Sequence, residues 1–216
     1  WAVMLQIERI FLEVFTDFSC AAIPNKGIHY ALKLLNKYME DKQNTTYCLK
    51  LDIKKFFPNI DHNILKRLLR KKIKDNDVLW LLDEIIDSIE DGKGIPIGNY
   101  TSQYFANFYL SYFDHWLKEE MKVKYVIRYM DDIVILHESK KYLHNLRNEI
   151  ENYLWTNLKL KVKGNWQVFP SRVRGIDFVG YRHFGDYILL RKSTAKKLKR
   201  KMRRILVKVK SGQQMS

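Results

Sequence analysis

Two adjacent carboxylates, Asp131 and Asp132, stand between two apolar segments with strand-like composition, Lys124–Tyr129 and Ile133–Leu136. Like charges at the tip of a hairpin repel each other, and an apolar ribbon solvates them poorly. A divalent cation with oxygen ligands resolves that conflict. The alternative is an ordinary Asp-containing turn, which is common in proteins. The pair therefore indicates either a metal site or a plain turn.

A third carboxylate, Asp52, lies in a short predicted strand, Tyr47–Ile53, which is broken by Pro58-Asn59. A strand and a neighbouring hairpin that both carry Asp match the layout of a two-metal site. In such sites two ions about 3.5–4 Å apart clamp the attacking and leaving oxygens of an in-line displacement. Phosphoryl and nucleotidyl transfer need this geometry, because positioning and charge stabilisation do most of the catalysis.

The elements that must position these carboxylates alternate along the chain. Apolar residues at helical spacing predict helices near residues 1–19, 28–40, 62–72, 77–90 and 140–156, and one that Thr101 or Ser102 caps. Segments 159–168 and 176–190 are strand-rich. This order predicts an α+β fold in which a small antiparallel sheet carries helices on one face, the ferredoxin-like arrangement.

The composition fits one sizeable core with a polyanionic partner. The chain has 216 residues and a formal net charge of +15, which favours nucleic acid, although a merely basic protein is the alternative. Cys20 and Cys48 form neither a disulfide framework nor a zinc pattern, so a reducing, cytoplasmic compartment is expected. Because no apolar run reaches about 18 residues, no membrane span is expected.

The segment Tyr129–Asp132 reads Y-M-D-D and resembles the YxDD signature of reverse transcriptases. Four residues are a weak pattern, but they follow a D-x-x-x-F-F strand at Asp52 by about 80 residues, and two further motifs stand in the family's order. The resemblance covers residues 20–190. It implies the right-hand palm of an RNA-directed DNA polymerase, with an RRM-like sheet, partial fingers and the start of a thumb.

The resemblance implies roles for the charged residues. Asp52, Asp131 and Asp132 would be catalytic and would hold two magnesium ions, or manganese in their place, with the backbone carbonyl of Ile53 as a further ligand. Lys163 resembles the lysine that is proposed to protonate the leaving pyrophosphate.

The resemblance also implies a dNTP pocket. Phe57 lies where the family places a steric gate, a ring that collides with a 2′-hydroxyl and so favours dNTPs. The alternative is that Phe56 and Phe57 pack in the core. Ile97 and Gly98 belong to a Gly-containing segment that would approach the nucleotide, and the alternative is a plain loop and helix cap. Met130 would contact the nucleotide near the primer terminus.

The segment Val179-Gly180-Tyr181 resembles the primer grip, in which a Gly turn and an aromatic residue hold the end of the primer. A simple β-turn is the alternative.

The motif around Gly98 also favours a subfamily. It reads I-G-N-Y-T-S-Q, with Ile97 where many reverse transcriptases have Gln and Gln103 where they have Pro. This form is similar to the bacterial or phage-encoded enzymes of diversity-generating retroelements, which copy a template RNA with errors at adenines. Ile cannot offer the nucleotide the hydrogen bond of Gln, which would relax selectivity. The resemblance implies a basic accessory protein, and retron, group II intron and phage-defence enzymes are the alternatives.

Three regions are predicted: 1–46 as partial fingers and palm-supporting helices, 47–190 as palm, and 191–216 as the start of a basic thumb. Residues 191–210 hold eleven Lys or Arg and no acid, which suits either a nucleic-acid backbone or a solvated helix face. The family's two upstream fingers motifs are not found, so the chain is expected to begin inside the fingers and to need the missing parts for activity. An RNA template, a DNA primer and dNTPs are the expected partners, while the oligomeric state is not predicted. A non-catalytic nucleic-acid-binding palm and a two-metal nuclease are the other functional hypotheses.

Overall fold

The computed structural model describes residues 2–96 and 98–210. Its strands are β1 (Ser19–Cys20), β2 (Tyr47–Asp52), β3 (Tyr125–Tyr129), β4 (Asp132–His137), β5 (Gln167–Pro170), β6 (Ile176–Phe178), β7 (Tyr181–His183) and β8 (Ile188–Leu190). The first five form one sheet in the order β1-β3-β4-β2-β5, in which β1 runs parallel to β3 and the other neighbours are antiparallel. The last three form an antiparallel sheet in the order β6-β7-β8.

The helices are α1 (Ala2–Leu12), α2 (Ile28–Met39), α3 (His62–Lys72), α4 (Asn76–Asp87), α5 (Tyr100–His115), α6 (Lys140–Leu158), α7 (Ser171–Arg174) and α8 (Lys192–Lys210). A 3-10 turn spans Phe57–Asn59, and α5 runs on into a π-helical turn, Trp116–Glu120. The mixed order of strands and helices confirms the predicted α+β class.

Short polar side chains start three of these helices. The Asp61 carboxylate accepts a hydrogen bond from the Ile64 N–H across 3.1 Å at the start of α3, as the sequence predicted. Asp75 caps α4 and Ser139 caps α6 in the same way. Each cap satisfies backbone donors that have no partner within the helix, which fixes where the helix begins.

Two predicted elements differ from the structure. The first helix ends at Leu12 rather than near residue 19, because Ser19 and Cys20 pair with β3 and join the sheet. The segment predicted as strand over 159–168 makes only a single bridge, between Val162 and Ile53, before β5 begins at Gln167. In both places the local conformation depends on pairing with residues that are distant in the sequence. Intrinsic secondary-structure propensity does not reveal such pairing.

The large sheet is buried on both faces. Leu49 and Ile135, which oppose each other, belong to a large core with residues of α1, α3, α4, α5 and α6. Cys48 and Leu136, one position along, point to the other face and pack with α2 and the second sheet. The sequence predicted helices on one face, and most of them do pack there. The second face carries α2 because the alternating side chains of β2 and β4 are apolar on both sides.

The N-terminal region contributes side chains to the cores, whereas the C-terminal helix leaves several apolar side chains exposed. Side chains from residues 4–46 enter both cores, among them Phe11 and Leu35, so this region packs with the palm. Its boundary at residue 46 stays a prediction. Helix α8 leaves Leu198, Met202 and Leu206 exposed. Among the described residues no helix is both long enough and apolar enough to cross a membrane.

Candidate active site

The hairpin between β3 and β4 presents the paired carboxylates. Tyr129 pairs with Asp132, so Met130 and Asp131 form a two-residue turn. Met130 has φ +55°, the left-handed conformation that two-residue hairpin turns require at their first central position and for which Gly is favoured. Holding a non-Gly residue there costs about 1–2 kcal/mol, which the surrounding structure must offset.

Strand β2 brings Asp52 to the same end of the sheet. Asp52 lies directly opposite Asp132, and the next residue, Ile53, donates its N–H to the Asp131 carbonyl across 3.2 Å. Carboxylates that oppose each other on one face of a sheet repel. The buried Oδ1 of Asp52 has no hydrogen-bond partner among the described residues. Two segments far apart in sequence therefore converge on an acidic site with an unsatisfied oxygen.

Burial and like charges both raise the pKa of these acids. Burial is the main reason that the pKa of Asp131 lies above its ordinary value, and the carboxylates of Asp52 and Asp132 raise it further. Burial also raises the pKa of Asp132, although the neighbouring Lys50 opposes the shift. A cation at this position would favour the charged form of these acids.

Two lysines supply part of that positive charge. Lys50 Nζ lies 2.7 Å and 2.9 Å from the two carboxylate oxygens of Asp132, and it precedes Asp52 by two residues on the same face of β2. Lys163 Nζ lies 3.5 Å from Asp52 Oδ2, and its backbone N–H donates to the Asp52 carbonyl across 2.8 Å. The structure thus places the predicted Lys163 beside Asp52.

The donor set suits a hard cation. Its oxygens are carboxylates, the ligands that Mg²⁺ and Mn²⁺ prefer, and Asp52 keeps one oxygen unpaired. In the described part of the chain no three His, Cys, Asp or Glu side chains are arranged to hold one ion, and the Asp132 carboxylate is taken up by Lys50. Asp52 and Asp131 therefore fit the metal role in this conformation, whereas Asp132 would first have to leave Lys50.

The two phenylalanines after Asp52 separate into one core residue and one partly exposed residue. Phe56 is buried and Phe57 is half-buried at the start of the 3-10 turn, with ring centroids 5.5 Å apart. The Phe57 carbonyl accepts a hydrogen bond from the Ile95 N–H across 3.2 Å, which ties it to the Gly-containing loop. Phe56 is thus the packing residue of the pair.

The loop before α5 holds the other predicted dNTP contacts. Gly98 has φ +102°, a conformation that side chains other than glycine rarely adopt. Ile97 lies outside the described residues. The prediction that Thr101 or Ser102 caps α5 was wrong: the helix begins at Tyr100, so Ser102 is already inside it and buried.

A second hairpin faces the first. Val179 and Gly180, at φ +43° and +91°, form the turn between Phe178 and Tyr181. The Phe178 ring lies edge-on to Tyr129 at 6.5 Å, and Lys50 Nζ lies 5.4 Å from its centroid. The predicted primer-grip segment is therefore a β-turn that packs against the hairpin of the paired aspartates.

The comparisons with known proteins agree with this arrangement. Residues 1–183 match the family model of reverse transcriptase (RNA-dependent DNA polymerase). The chain belongs to the reverse transcriptase family. It is 23% identical to the protein YkfC of Escherichia coli over 224 residues, covering 84% of the chain and 58% of that protein. It is 30% identical to the group II intron-encoded protein LtrA of Lactococcus lactis over 132 residues, covering 57% of the chain and 21% of LtrA.

A solved structure shares the fold of this family member. The apo telomerase of Candida tropicalis, truncated of its C-terminal domain, superposes with a TM-score of 0.67 at 14% identity, covering 88% of the chain and 45% of the telomerase. The chain spans less than two thirds of the length of the curated relatives named above. Membership of the family and the palm fold are thereby confirmed, while the diversity-generating subfamily stays a prediction.

The sequence analysis missed the buried residues that bond to the hairpin of the paired aspartates. Arg128 is fully buried, and it pairs with the equally buried Asp114 of α5 through Nε–Oδ1 at 2.8 Å and Nη2–Oδ2 at 2.5 Å. Its Nη1 donates to the Met130 carbonyl across 3.0 Å and to Asn107 Oδ1 across 3.1 Å. The available signal was an Arg inside an apolar strand one residue before the motif, since a buried charge needs a partner.

A cavity of about 450 Å³ lies beside Asp52 and Asp132. Charged side chains from both sheets, from α7 and from the residue that follows β8 dominate its wall: Lys50, Asp52, Asp132, Arg174, Asp177, Arg182 and Arg191. Of this set, Asp52 and Asp132 were predicted as catalytic from the sequence, and Arg191 was noted only as part of the basic run at 191–210. The excess of cations beside the carboxylates suits a polyanionic substrate chain at this edge of the palm.

Proposed function

We propose that the protein acts as an RNA-directed DNA polymerase, which adds dNTPs to a DNA primer on an RNA template by nucleotidyl transfer. The observation that carries the proposal is the pairing of Asp52 with Asp132, with Ile53 bonded to the Asp131 carbonyl, in a chain of the reverse transcriptase family. These contacts bring the acids of two motifs to one end of the sheet. Polymerases need acids from a strand and an adjacent hairpin in that relation.

Asp52 and Asp131, with the carbonyl of Ile53 and with Asp132 once it leaves Lys50, would hold two magnesium ions. When bound, such ions activate the primer hydroxyl and stabilise charge on the transferred phosphoryl group. The chain's own residues position the reactants. The Gly98 loop lets the backbone approach the nucleotide, and the turn at Val179 and Gly180 supports the primer end. Lys163, beside Asp52, is poised to donate a proton to pyrophosphate.

Primer extension on an RNA template with Mg²⁺ and dNTPs tests the proposal. Asp131→Asn keeps the shape of the side chain and removes its charge, so it should lower extension at least about a hundredfold. Asp91→Asn, in an exposed turn, is the matched control and should leave extension unchanged. Extension that survives Asp131→Asn would overturn the proposal, and cutting in place of extension would point to a nuclease. Failure of a folded, full-length version to extend any primer would favour a non-catalytic binding palm.

The template defines the finer function. The pattern around Ile97 supports an enzyme of a diversity-generating retroelement, with a basic accessory protein that helps to bind the template RNA. The similarity to a group II intron-encoded protein favours an intron-type enzyme as the second candidate. Sequencing of the DNA product separates them, because the first predicts errors concentrated at template adenines and the second predicts no preference among the four bases.

A cytoplasmic setting completes the proposal. Cys20 and Cys48 are both free and buried in the described structure, and burial raises the pKa of both thiols. Buried thiols of this kind behave as small apolar groups and suit a reducing compartment.

A further inference from the structure

An exposed tryptophan surrounded by lysines marks the C-terminal end of α6. Trp155 leaves 49% of its surface in contact with solvent. Lys161 Nζ lies 4.8 Å from the centroid of its ring, and Lys159 Nζ lies 5.8 Å from it. A single exposed apolar residue is ordinary on a protein surface. An exposed indole that sits within a group of cations is a more specific arrangement.

The group forms a shallow cavity of about 340 Å³, here called the Trp155 patch. It is lined by Lys54, Asn59, Lys93, Trp155, Lys159 and Lys161. Within the described part of the chain no carboxylate lines this cavity, and none of its four lysines pairs with an acidic side chain. Four unpaired positive charges around one opening repel each other, and a polyanion would relieve that repulsion.

Main-chain contacts hold the patch together. The Lys54 N–H donates to the Lys161 carbonyl across 2.8 Å, and Asn59 Nδ2 donates to the Lys54 carbonyl across 3.0 Å. Lys159 ends α6 in the left-handed conformation, at φ +55°, and its N–H donates to the Trp155 carbonyl across 3.2 Å. The positions from which the cations project are therefore fixed by the fold.

The patch adjoins the acidic edge of the palm. Lys54 follows Ile53 directly, and two residues beyond Lys161 the Lys163 N–H bonds the Asp52 carbonyl. None of the residues that line the patch was assigned a role above. The patch therefore lies beside the acidic edge without sharing its side chains.

We propose that the Trp155 patch binds single-stranded nucleic acid, with one base stacked on the indole and the neighbouring phosphates neutralised by the lysines. Stacking on an aromatic ring, combined with a basic groove, is how proteins hold single strands without regard to sequence. An acidic peptide would satisfy the charges but has no flat ring for the indole. A duplex would satisfy the charges as well, but its paired bases hide their faces.

Fluorescence anisotropy with labelled 12-mers of uridylate or thymidylate tests the proposal on the full chain. Mg²⁺ and dNTPs are left out, so the result does not depend on polymerase activity. Trp155→Ala should weaken binding of both oligonucleotides about tenfold, since one stacked base is lost. Trp80→Ala is the matched control, because Trp80 is 65% exposed on α4, and it should change binding less than about twofold.

A second pair of variants tests the lysines. Replacing Lys159 and Lys161 together by Ala should reduce the salt dependence of binding by about 1.4 in the log–log slope, as expected for two lost phosphate contacts on a single strand. The double change of Lys140 and Lys141 to Ala, at the exposed start of α6, should leave the slope unchanged. Binding should also quench tryptophan fluorescence, and Trp155→Phe should remove that quench while Trp80→Phe keeps it.

Several results would overturn the proposal. One is equal binding by the Trp155→Ala and Trp80→Ala proteins when circular dichroism shows both folded. A second is that Trp155→Ala weakens the binding of a blunt duplex as much as that of the single strands. A third is that a Glu-rich peptide displaces the oligonucleotide in a way that depends on Trp155. A fourth is an affinity that differs more than tenfold between the uridylate and the thymidylate 12-mer. If Trp155→Ala fails to fold, Trp155→Phe replaces it and should show an intermediate loss.

Discussion

Arg128 Nη1 donates a hydrogen bond to the Met130 carbonyl across 3.0 Å, so a fully buried guanidinium holds the residue of positive φ in the turn of the paired aspartates. The same guanidinium is paired with Asp114, which also accepts a hydrogen bond from Ser19 Oγ at 2.5 Å. Through these contacts α5, β1 and the hairpin share one buried network. The strain of Met130 is thus offset by a contact that comes from inside the palm rather than from the turn itself.

Arg128→Lys should therefore misplace the aspartates of the turn. Lysine keeps the charge but loses the planar fork that reaches Asp114, Asn107 and Met130 together. We expect kcat for primer extension to fall about tenfold or more while KM for dNTP changes less than twofold, because positioning affects the reacting state. Steady-state extension kinetics measure both constants. Arg147→Lys, which alters a partly exposed pair with Glu151 on α6, is the control.

The same pair should also dominate the stability of the palm. Asp114→Asn leaves the Arg128 charge buried without a counter-ion, which typically costs about 3–5 kcal/mol. Urea unfolding measures the change. A loss below about 1 kcal/mol would contradict the view that the two residues form the central polar contact of the core.

Lys50 should set the acid limb of the pH–activity profile. Its ammonium group opposes the rise in the pKa of Asp132 that burial causes. Lys50→Met removes that charge, so the pKa of Asp132 should rise further and the carboxylate should form only at higher pH. The pH of half-maximal extension should then move upward, and Lys50→Arg should restore it. Lys66→Met, which removes a cation from Asp87 on a different surface, should leave the profile in place.

The structure brings together the carboxylates that the sequence singled out, Asp52 in an apolar strand and Asp131 at a hairpin tip, while their catalytic role stays a prediction. The start of α3 was predicted correctly because Asp61 is a strong helix cap. Arg128, Asp114 and Lys50 were missed, because a single sequence does not show which distant charges will be buried together. The register of the strands determines which charges come together, because Lys50 contacts Asp132 only in the register that β2 and β4 adopt.

Phe57 should select the sugar of the incoming nucleotide. Of the two adjacent rings it is the half-buried one, and Phe56 is the core residue. Phe57→Val should therefore raise the use of rNTPs relative to dNTPs about tenfold or more without unfolding the domain. Competition between labelled rNTPs and dNTPs measures the ratio. Phe56→Leu is the control, and it should lower stability but leave the ratio unchanged; unchanged sugar selection in Phe57→Val would place the gate elsewhere.

His183 should make the domain sensitive to acid. It is buried on β7, where burial lowers its pKa to about 4, and its Nδ1 lies 3.1 Å from Asn36 Oδ1 of α2. The unfolded chain has the ordinary pKa of about 6.5. The neutral ring of the folded state therefore contributes its full stability above pH 6.5. As pH falls from 6.5 towards 4, the unfolded state takes up the proton first and stability declines.

His183→Asn isolates this effect, because Asn places a non-titrating amide donor near the position of Nδ1. Urea unfolding at pH 7.5, 6, 5 and 4.5 should show a wild-type decline that is steeper than that of the variant by up to about 1.4 kcal/mol per pH unit, the slope for one proton. Above pH 7 the free energies of unfolding of the two proteins should change with pH in parallel, so that only a constant difference separates them. Parallel pH dependences below pH 6 would mean that His183 keeps an ordinary pKa in the folded state, and that another group causes any loss of stability in acid.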